Sequence, residues 1–256
     1  QLTDNDQLSI TTVDVEASYG ALYGSPSVLT KGESRVEEDF IANLLCDATC
    51  FSTDAIINSD PAHDCGDEIG DNVTSQYLDC ACGTDAWKGN CGAGTEEGLE
   101  AIFMALCRAV EQPPEACYDI VNQFTEADVL SNEGMLRPDA TFMPIIITDE
   151  GDYGTRRMSQ GEVDISAYID LFERFDLRMS PVFIGPVWDP EFGDFRCPTG
   201  AGGGWSALRY TQLVDNYGGL QINIVDPDNN CEPTLFSDSL AQIAEFIESL
   251  PSSPEP

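Results

Sequence analysis

The sequence predicts an α/β fold built on a mostly parallel, doubly wound sheet, and three observations carry that prediction. Apolar runs of strand length alternate with segments whose apolar residues recur at helical spacing over most of the chain. The runs at 142–148 and 181–185 are continuously apolar, as strands buried on both faces of a parallel sheet are. One stretch, 46–94, has neither period; it holds six of the ten cysteines and six glycines, and reads as a disulfide-pinned insertion. With 256 residues, 42% of them hydrophobic, the chain is long enough for a substantial core. We read a single domain over 1–250 containing the insertion, followed by a Pro- and Ser-rich linker or tail at 251–256.

In chain order, residues 8–15 alternate with β-branched positions and predict a strand. Ser34-Arg35-Val36-Glu37 has the form of a capping box, followed by Val36, Phe40, Ile41 and Leu44 on one helical face. After the insertion, Leu99, Ile102, Phe103 and Leu106 mark a helix opening near Thr95, with Glu96 and Glu97 in its first turn. A second short helix is expected from Pro114 to about Phe124. The run 142–148 predicts a fully buried parallel strand ending at Asp149. Ile165, Tyr168, Ile169 and Phe172 predict the next helix, and 181–185 the next buried strand. A helix over 205–217 and a strand over 219–225 follow. In the last helix Leu240, Ile243, Ala244 and Ile247 are expected to face inward.

Charge and cysteine usage narrow the setting. Asp and Glu number 46 against 11 Lys and Arg, a net charge of −35, and Lys31 and Lys88 are the only lysines. So anionic a surface repels phosphate backbones and acidic headgroups, which excludes nucleic-acid and peripheral membrane binding. It favours divalent cations, a salty medium or a basic partner. No apolar run approaches the ~20 residues of a membrane span. Ten cysteines without the paired C-x2-C spacing of zinc sites argue for disulfides and an oxidising compartment. Two pairings look natural: Cys107 with Cys117 across Gln112-Pro113-Pro114, and Cys197 with Cys231 around the last helix–strand unit. Cys46, Cys50, Cys65, Cys80, Cys82 and Cys91 lie in the insertion. An opening at Gln1 with neither Met nor an apolar leader is expected to follow removal of a signal or more. We expect a secreted or cell-surface protein.

Enzyme signatures are sparse. Gly200–Gly204 is followed by Trp205 and lacks the lysine of a phosphate-binding loop, and Gly204-Trp205-Ser206-Ala207-Leu208 is not a nucleophile elbow. The single histidine, His63, sits in the insertion, and no nucleophile–base pair can be named, so we expect a protein that is not an enzyme. Two places suit a hard cation with oxygen ligands. Thr95 opens a helix and Asp149 ends a central strand, where ligands bind in open α/β sheets; an N-cap threonine and a loop-capping aspartate are the plain alternative. Asp60, Asp64, Asp67, Glu68 and Asp71 form a possible second cation loop, with a solvated acidic loop as the alternative. Asn72-Val73-Thr74 is a glycosylation sequon, and the 226–230 segment reads as a turn.

The strings GAGTEEGLEAIFMAL, GMLRPDATFMPIIITDEGDYG, PVFIGP and YGGLQINIVD, in this order, resemble a von Willebrand factor A-type domain. More narrowly, they are similar to cysteine-rich secreted or lipoprotein-type members of myxobacteria and related bacteria. These carry a strand like SITTVDV followed by a G-x-L segment, here Gly20-Ala21-Leu22. The resemblance spans roughly Leu8 to Leu250. It implies a three-layer α/β/α sandwich that works in adhesion or subunit–subunit binding, with Mg²⁺ or Ca²⁺ at the C-terminal edge of the sheet. Thr95 would be the second-loop threonine of the metal site and Asp149 the third-loop aspartate. The alternative is a structural subunit of an extracellular filament or surface assembly with a vestigial metal site. The family's first strand, which ends in D-x-S-x-S, has no match before Leu8. In the family it lies between the strands matching 8–15 and 142–148. We therefore expect another chain, a cleaved piece of the precursor or a neighbouring subunit, to supply it.

Overall fold

The structure is a computed structural model and describes residues 7–12, 15–30, 36, 39–40, 43, 96–119, 123–148, 151–159, 161–189, 194–195, 207–226, 232–234 and 236–250. The chain opens with β1 (Gln7–Ser9), α1 (Val15–Ser18) and β2 (Val28–Thr30), and continues with α2 (Gly98–Cys107). Next come β3 (Thr141–Phe142), β4 (Ile145–Ile147), α3 (Ser166–Phe172), β5 (Arg178–Met179) and β6 (Val182–Gly185). The rest is β7 (Trp188–Asp189), β8 (Asp194–Phe195), α4 (Ala207–Tyr217), β9 (Leu220–Asn223), β10 (Val225–Asp226), β11 (Glu232–Pro233) and α5 (Phe236–Ser249).

The fold is α/β, centred on a parallel sheet in the order β4-β6-β9. β3 and β5 extend the same ladder, since Phe142 stands opposite Met179 and Ile145 opposite Val182, three residues further on either strand. The run expected as one strand is divided at Met143-Pro144, and its partner at Ser180-Pro181, because a proline has no N–H to donate. Across the break Ser180 N–H donates to the Phe142 carbonyl (3.0 Å) and Val182 N–H to that of Pro144 (2.9 Å). β9 follows α4 through Gly219, where a Cβ would stand 1.9 Å from the Pro181 carbonyl oxygen, so only glycine lets the two backbones meet.

Alternation along the strands sends side chains to two apolar clusters. Ile146 and Phe183 join Leu99, Ile102, Phe103 and Leu106 of α2, Tyr168 and Phe172 of α3, and Tyr210 and Leu213 of α4. On the other face Val182, Ile184 and Ile222 pack with Ile243 of α5. Each large apolar side chain taken fully out of water contributes about 1.5–3 kcal/mol. α2 is the central helix, buried on every side.

Antiparallel pairs finish the described structure: β1 with β2, β7 with β8, and β10 with β11. Gly20 (φ +75°) ties the first of them to the core, lying so close to α2 that a Cβ would be 2.5 Å from the Met104 carbonyl carbon and the Ala105 nitrogen. Buried Asn132 donates to the Gly20 (2.8 Å) and Ala105 (3.2 Å) carbonyls and accepts from Leu22 N–H (3.2 Å). The Cys107–Cys117 disulfide closes the chain after α2 (Cα–Cα 5.8 Å), which is one of the two pairings the spacing suggested. The other eight cysteines lie outside the described residues.

Several expectations are corrected. The strand over 8–15 is only three residues long; Tyr23 N–H donates to the Ile10 carbonyl (2.8 Å) and Val15 already begins a helix. The helix expected from Pro114 is a 3₁₀ turn, Glu115–Tyr118, ended by extended Asp119 and followed by a second turn, Glu126–Asp128. The last strand stops at Asn223, after which Val225–Asp226 turns to pair with Glu232–Pro233. The strand at 142–148 is not buried throughout: Ile145 is 39% and Ile147 50% exposed. On α5, Ile243 and Ser239 face inward, while Leu240, Ala244 and Ile247 are exposed. Val36, Asp39 and Phe40 are helical, and Ile41 and Leu44 of the same expected helix lie outside the described residues.

Candidate functional site

The start of α2 is held against the carboxyl end of β4, and few of its fastenings are local. The N-cap position is Glu97, whose side chain makes no capping bond. Glu96 and Glu97 therefore precede the helix instead of lying in its first turn. The orphan N–H groups of a helix start need acceptors. Gly98 N–H donates to the Tyr210 hydroxyl of α4 (3.1 Å), and Leu99 N–H to the Asp152 carboxylate (2.9 Å). Asp152 thus puts a negative charge at the positive end of the helix dipole. Glu96 joins the two segments directly, as its carboxylate accepts from the Thr148 hydroxyl and its carbonyl from Tyr153 N–H (2.8 Å).

Three arginines neutralise the remaining acids. Arg209 and Asp152 are both fully buried, with Nη1 3.0 Å from Oδ1. The same guanidinium donates to the carbonyls of Gly154 (2.7 Å), Glu162 (2.8 Å), Asp152 (3.1 Å) and Ser159 (3.2 Å), clamping the loop after β4 onto α4. Arg157 forms a two-pronged pair with fully buried Glu100 (2.8 and 3.0 Å), lies over the Phe103 ring (4.6 Å) and reaches Asp119 (3.0 Å). The Tyr168 hydroxyl also donates to Glu100 (2.9 Å), and Arg156 pairs with Glu97 (2.6 Å).

Burial dominates the titration of this cluster. It raises the Asp152 carboxyl above its ordinary range, against the lowering pull of Leu99 N–H, Arg209 and Gly154 N–H. It also pushes the phenols of Tyr168 and Tyr210 well up, helped by Glu100 and Asp152 for the first and by Asp152 and Glu96 for the second. Both tyrosines stay protonated. Burial disfavours the charge on Arg157, but its bonds and charge pairing with Glu100 more than compensate and raise it. Chemically this is a platform whose buried acids are compensated by arginines.

Thr95 and Asp149 themselves lie outside the described residues, as do Asp60, Asp64, Asp67, Glu68 and Asp71, His63, and Cys197 and Cys231. The structure brings together the chain neighbours of the first two, Glu96 and Thr148. Among the described residues no group of three or more His, Cys, Asp or Glu side chains is placed to hold a metal ion. No described helix is long and apolar enough to cross a membrane. Sequence reasoning missed Asp152, Arg156, Arg157, Tyr168, Arg209 and Tyr210. One signal was available: Arg209 sits one turn before Leu213 in an apolar helical stripe, in a chain with only 11 basic residues. An arginine placed so implies a buried acidic partner. The chain matches no family model, no curated protein and no solved structure.

Proposed function

We propose that this is an extracellular binding domain with a three-layer α/β/α architecture of the von Willebrand A type, which engages an acidic protein ligand through a divalent cation. The observation that supports it is the Thr148–Glu96 bond, which fastens together the two segments that lead into Asp149 and out of Thr95. These segments meet at the carboxyl end of a parallel strand, the place where open α/β sheets bind ligands. Oxygen donors there suit Mg²⁺ or Ca²⁺, with Thr95 and Asp149 as ligands from this chain. A bound cation supplies a positive charge that a partner carboxylate completes, so that two negative surfaces can meet. Glu97, Glu100 and Asp152 are engaged by arginines and act as supports, not ligands. The Cys107–Cys117 bridge supports an oxidising compartment.

Calorimetric titration with CaCl₂ and MgCl₂ at fixed ionic strength tests the reading. Saturable binding is expected for the full chain and its loss for Thr95→Ala and Asp149→Ala. Binding that survives both substitutions and disappears with Asp64→Asn/Asp67→Asn transfers the cation to the acidic loop and overturns this site.

A further inference from the structure

Five large hydrophobic residues among those described are more than a third exposed, and four of them lie on β4 and α5: Ile145 (39%), Ile147 (50%), Leu240 (50%) and Ile247 (44%). Register puts Ile145 beside Val182 and Ile147 beside Ile184, on one face of the sheet. Val182 and Ile184 are buried with Ile243 of α5. One face is thus covered a strand inward and bare at β4. Leu240 and Ile247 stand within about 60° of Ile243 around the helix axis, so the apolar arc of α5 extends past the part the sheet covers.

The backbone of β4 says what kind of group belongs there. Val182 N–H donates to the Pro144 carbonyl (2.9 Å) and Thr148 N–H to that of Ile184 (3.1 Å). Successive residues of a parallel strand bond to opposite sides, so Ile145 and Ile147 direct their N–H and C=O groups away from β6. On that side no described strand pairs with β4, and β1 pairs only with β2. A row of main-chain groups with no described strand beside it and with apolar flanks accepts an extended peptide, which a docked helix cannot replace because its own N–H and C=O groups are already used. The chain as a whole is strongly acidic, at −35, and α5 carries Asp238, Glu245 and Glu248 on the side away from Ile243 with no basic residue. A second copy would set these acids against themselves at −35 apiece.

We propose that the open edge of β4 is a strand-acceptor site, filled by an extended apolar segment flanked by Lys or Arg and donated by a different protein chain. The donated strand continues the sheet beyond Ile145–Ile147 and shields their side chains. It stands apart from the cation reading, and EDTA leaves it unchanged.

The probe is a labelled peptide, Lys-Lys-Val-Val-Ile-Val-Val-Lys-Lys, added to the full chain and followed by fluorescence anisotropy and amide hydrogen exchange. Saturable binding is expected, with exchange at Ile145 and Ile147 slowed at least tenfold. N-methylation of alternate peptide nitrogens on one edge should weaken binding at least tenfold. Ile147→Lys should do the same with Tm within 2 °C of the parent, because that side chain is half exposed in the chain alone. Absence of saturable binding, or binding indifferent to N-methylation, overturns the proposal. So does finding the Ile145 and Ile147 amides already protected in the monomer, or protected by a concentration-dependent dimer of this chain.

Discussion

Replacing Arg209 with Met removes one guanidinium and takes its donors from five acceptors at once. Arg209 is fully buried and donates to the Asp152 carboxylate and to the carbonyls of Asp152, Gly154, Ser159 and Glu162. Methionine has about the right length and polarisability, so the change is chiefly one of charge and hydrogen bonding. Breaking a buried ion pair from one side typically destabilises by about 3–5 kcal/mol. For a domain of this size that lowers Tm by about 6–20 °C. The deficit depends on pH with a definite sign. Burial already raises the Asp152 carboxyl, and losing Arg209 raises it further. A group whose folded pKa lies above its unfolded value stabilises fully below the unfolded value, and that stability is lost as pH rises through the folded one. The variant should therefore recover toward the parent as pH falls toward 4, and Asp152→Asn in the Arg209→Met background should recover part of the loss at pH 7. Urea titrations followed by near-UV circular dichroism measure both. A loss under about 1 kcal/mol at pH 7, or a loss equal at pH 4 and pH 7, refutes the argument that this pair clamps the loop after β4.

Further outcomes follow from the same geometry. Gly20→Ala should destabilise by about 2 kcal/mol or more, since its Cβ would meet the α2 backbone at 2.5 Å from a positive φ; thermal melts check it. Cys107→Ser/Cys117→Ser should lose about 3 kcal/mol in urea titrations, the loop-closure term for a separation of 10 residues. Few reactive thiols should appear under denaturing, non-reducing conditions. In alkaline titration at 295 nm Tyr217 should ionise only near 12, held up by burial and Glu173. Tyr168 and Tyr210 should stay silent until the fold opens, so stability is full below pH 10 and falls as pH rises through the raised values.

What could be read in the sequence was whatever depends on local period. α2, α3, α4 and β6 lie within a few residues of their expected places, because 3.6- and 2-residue periods are imposed by the core each element covers. Pro144 was visible inside the run 142–148, yet the continuous apolar pattern outweighed it, and the missing N–H divides the strand. The inward face of α5 was misjudged for another reason: a helical wheel shows an apolar arc, and the sheet in this structure covers only the half around Ile243. The site was least legible, because its bonds are not local. Leu99 meets Asp152 across 53 residues and Gly98 meets Tyr210 across 112, so nothing near α2 reveals what caps it.

The distribution of the few basic residues settles how salt acts on this protein. Arg108, Arg156, Arg157 and Arg209 each lie within 2.6–3.0 Å of an acid with at most 15% of the side chain exposed. At such separations, and so little hydrated, these pairs are hardly screened by mobile ions. Among these pairs Asp119, half exposed, is the partner most open to salt, and such pairs contribute about 0–1 kcal/mol. Drawing arginines inward leaves the exterior richer still in unpaired acids, and their mutual repulsion opposes compaction. That repulsion is long-ranged and screened, with a Debye length of about 30 Å at 10 mM and about 3 Å at 1 M. Salt therefore weakens the destabilising term and spares the stabilising one. Raising NaCl from 10 mM to 1 M should raise Tm, by about 4–8 °C for a gain of about 2 kcal/mol. Calorimetric scans at fixed pH measure it, and millimolar CaCl₂ matched in ionic strength separates screening from binding. A Tm that falls with NaCl would mean that the arginine pairs around α2 are open to solvent, contrary to the packing described above.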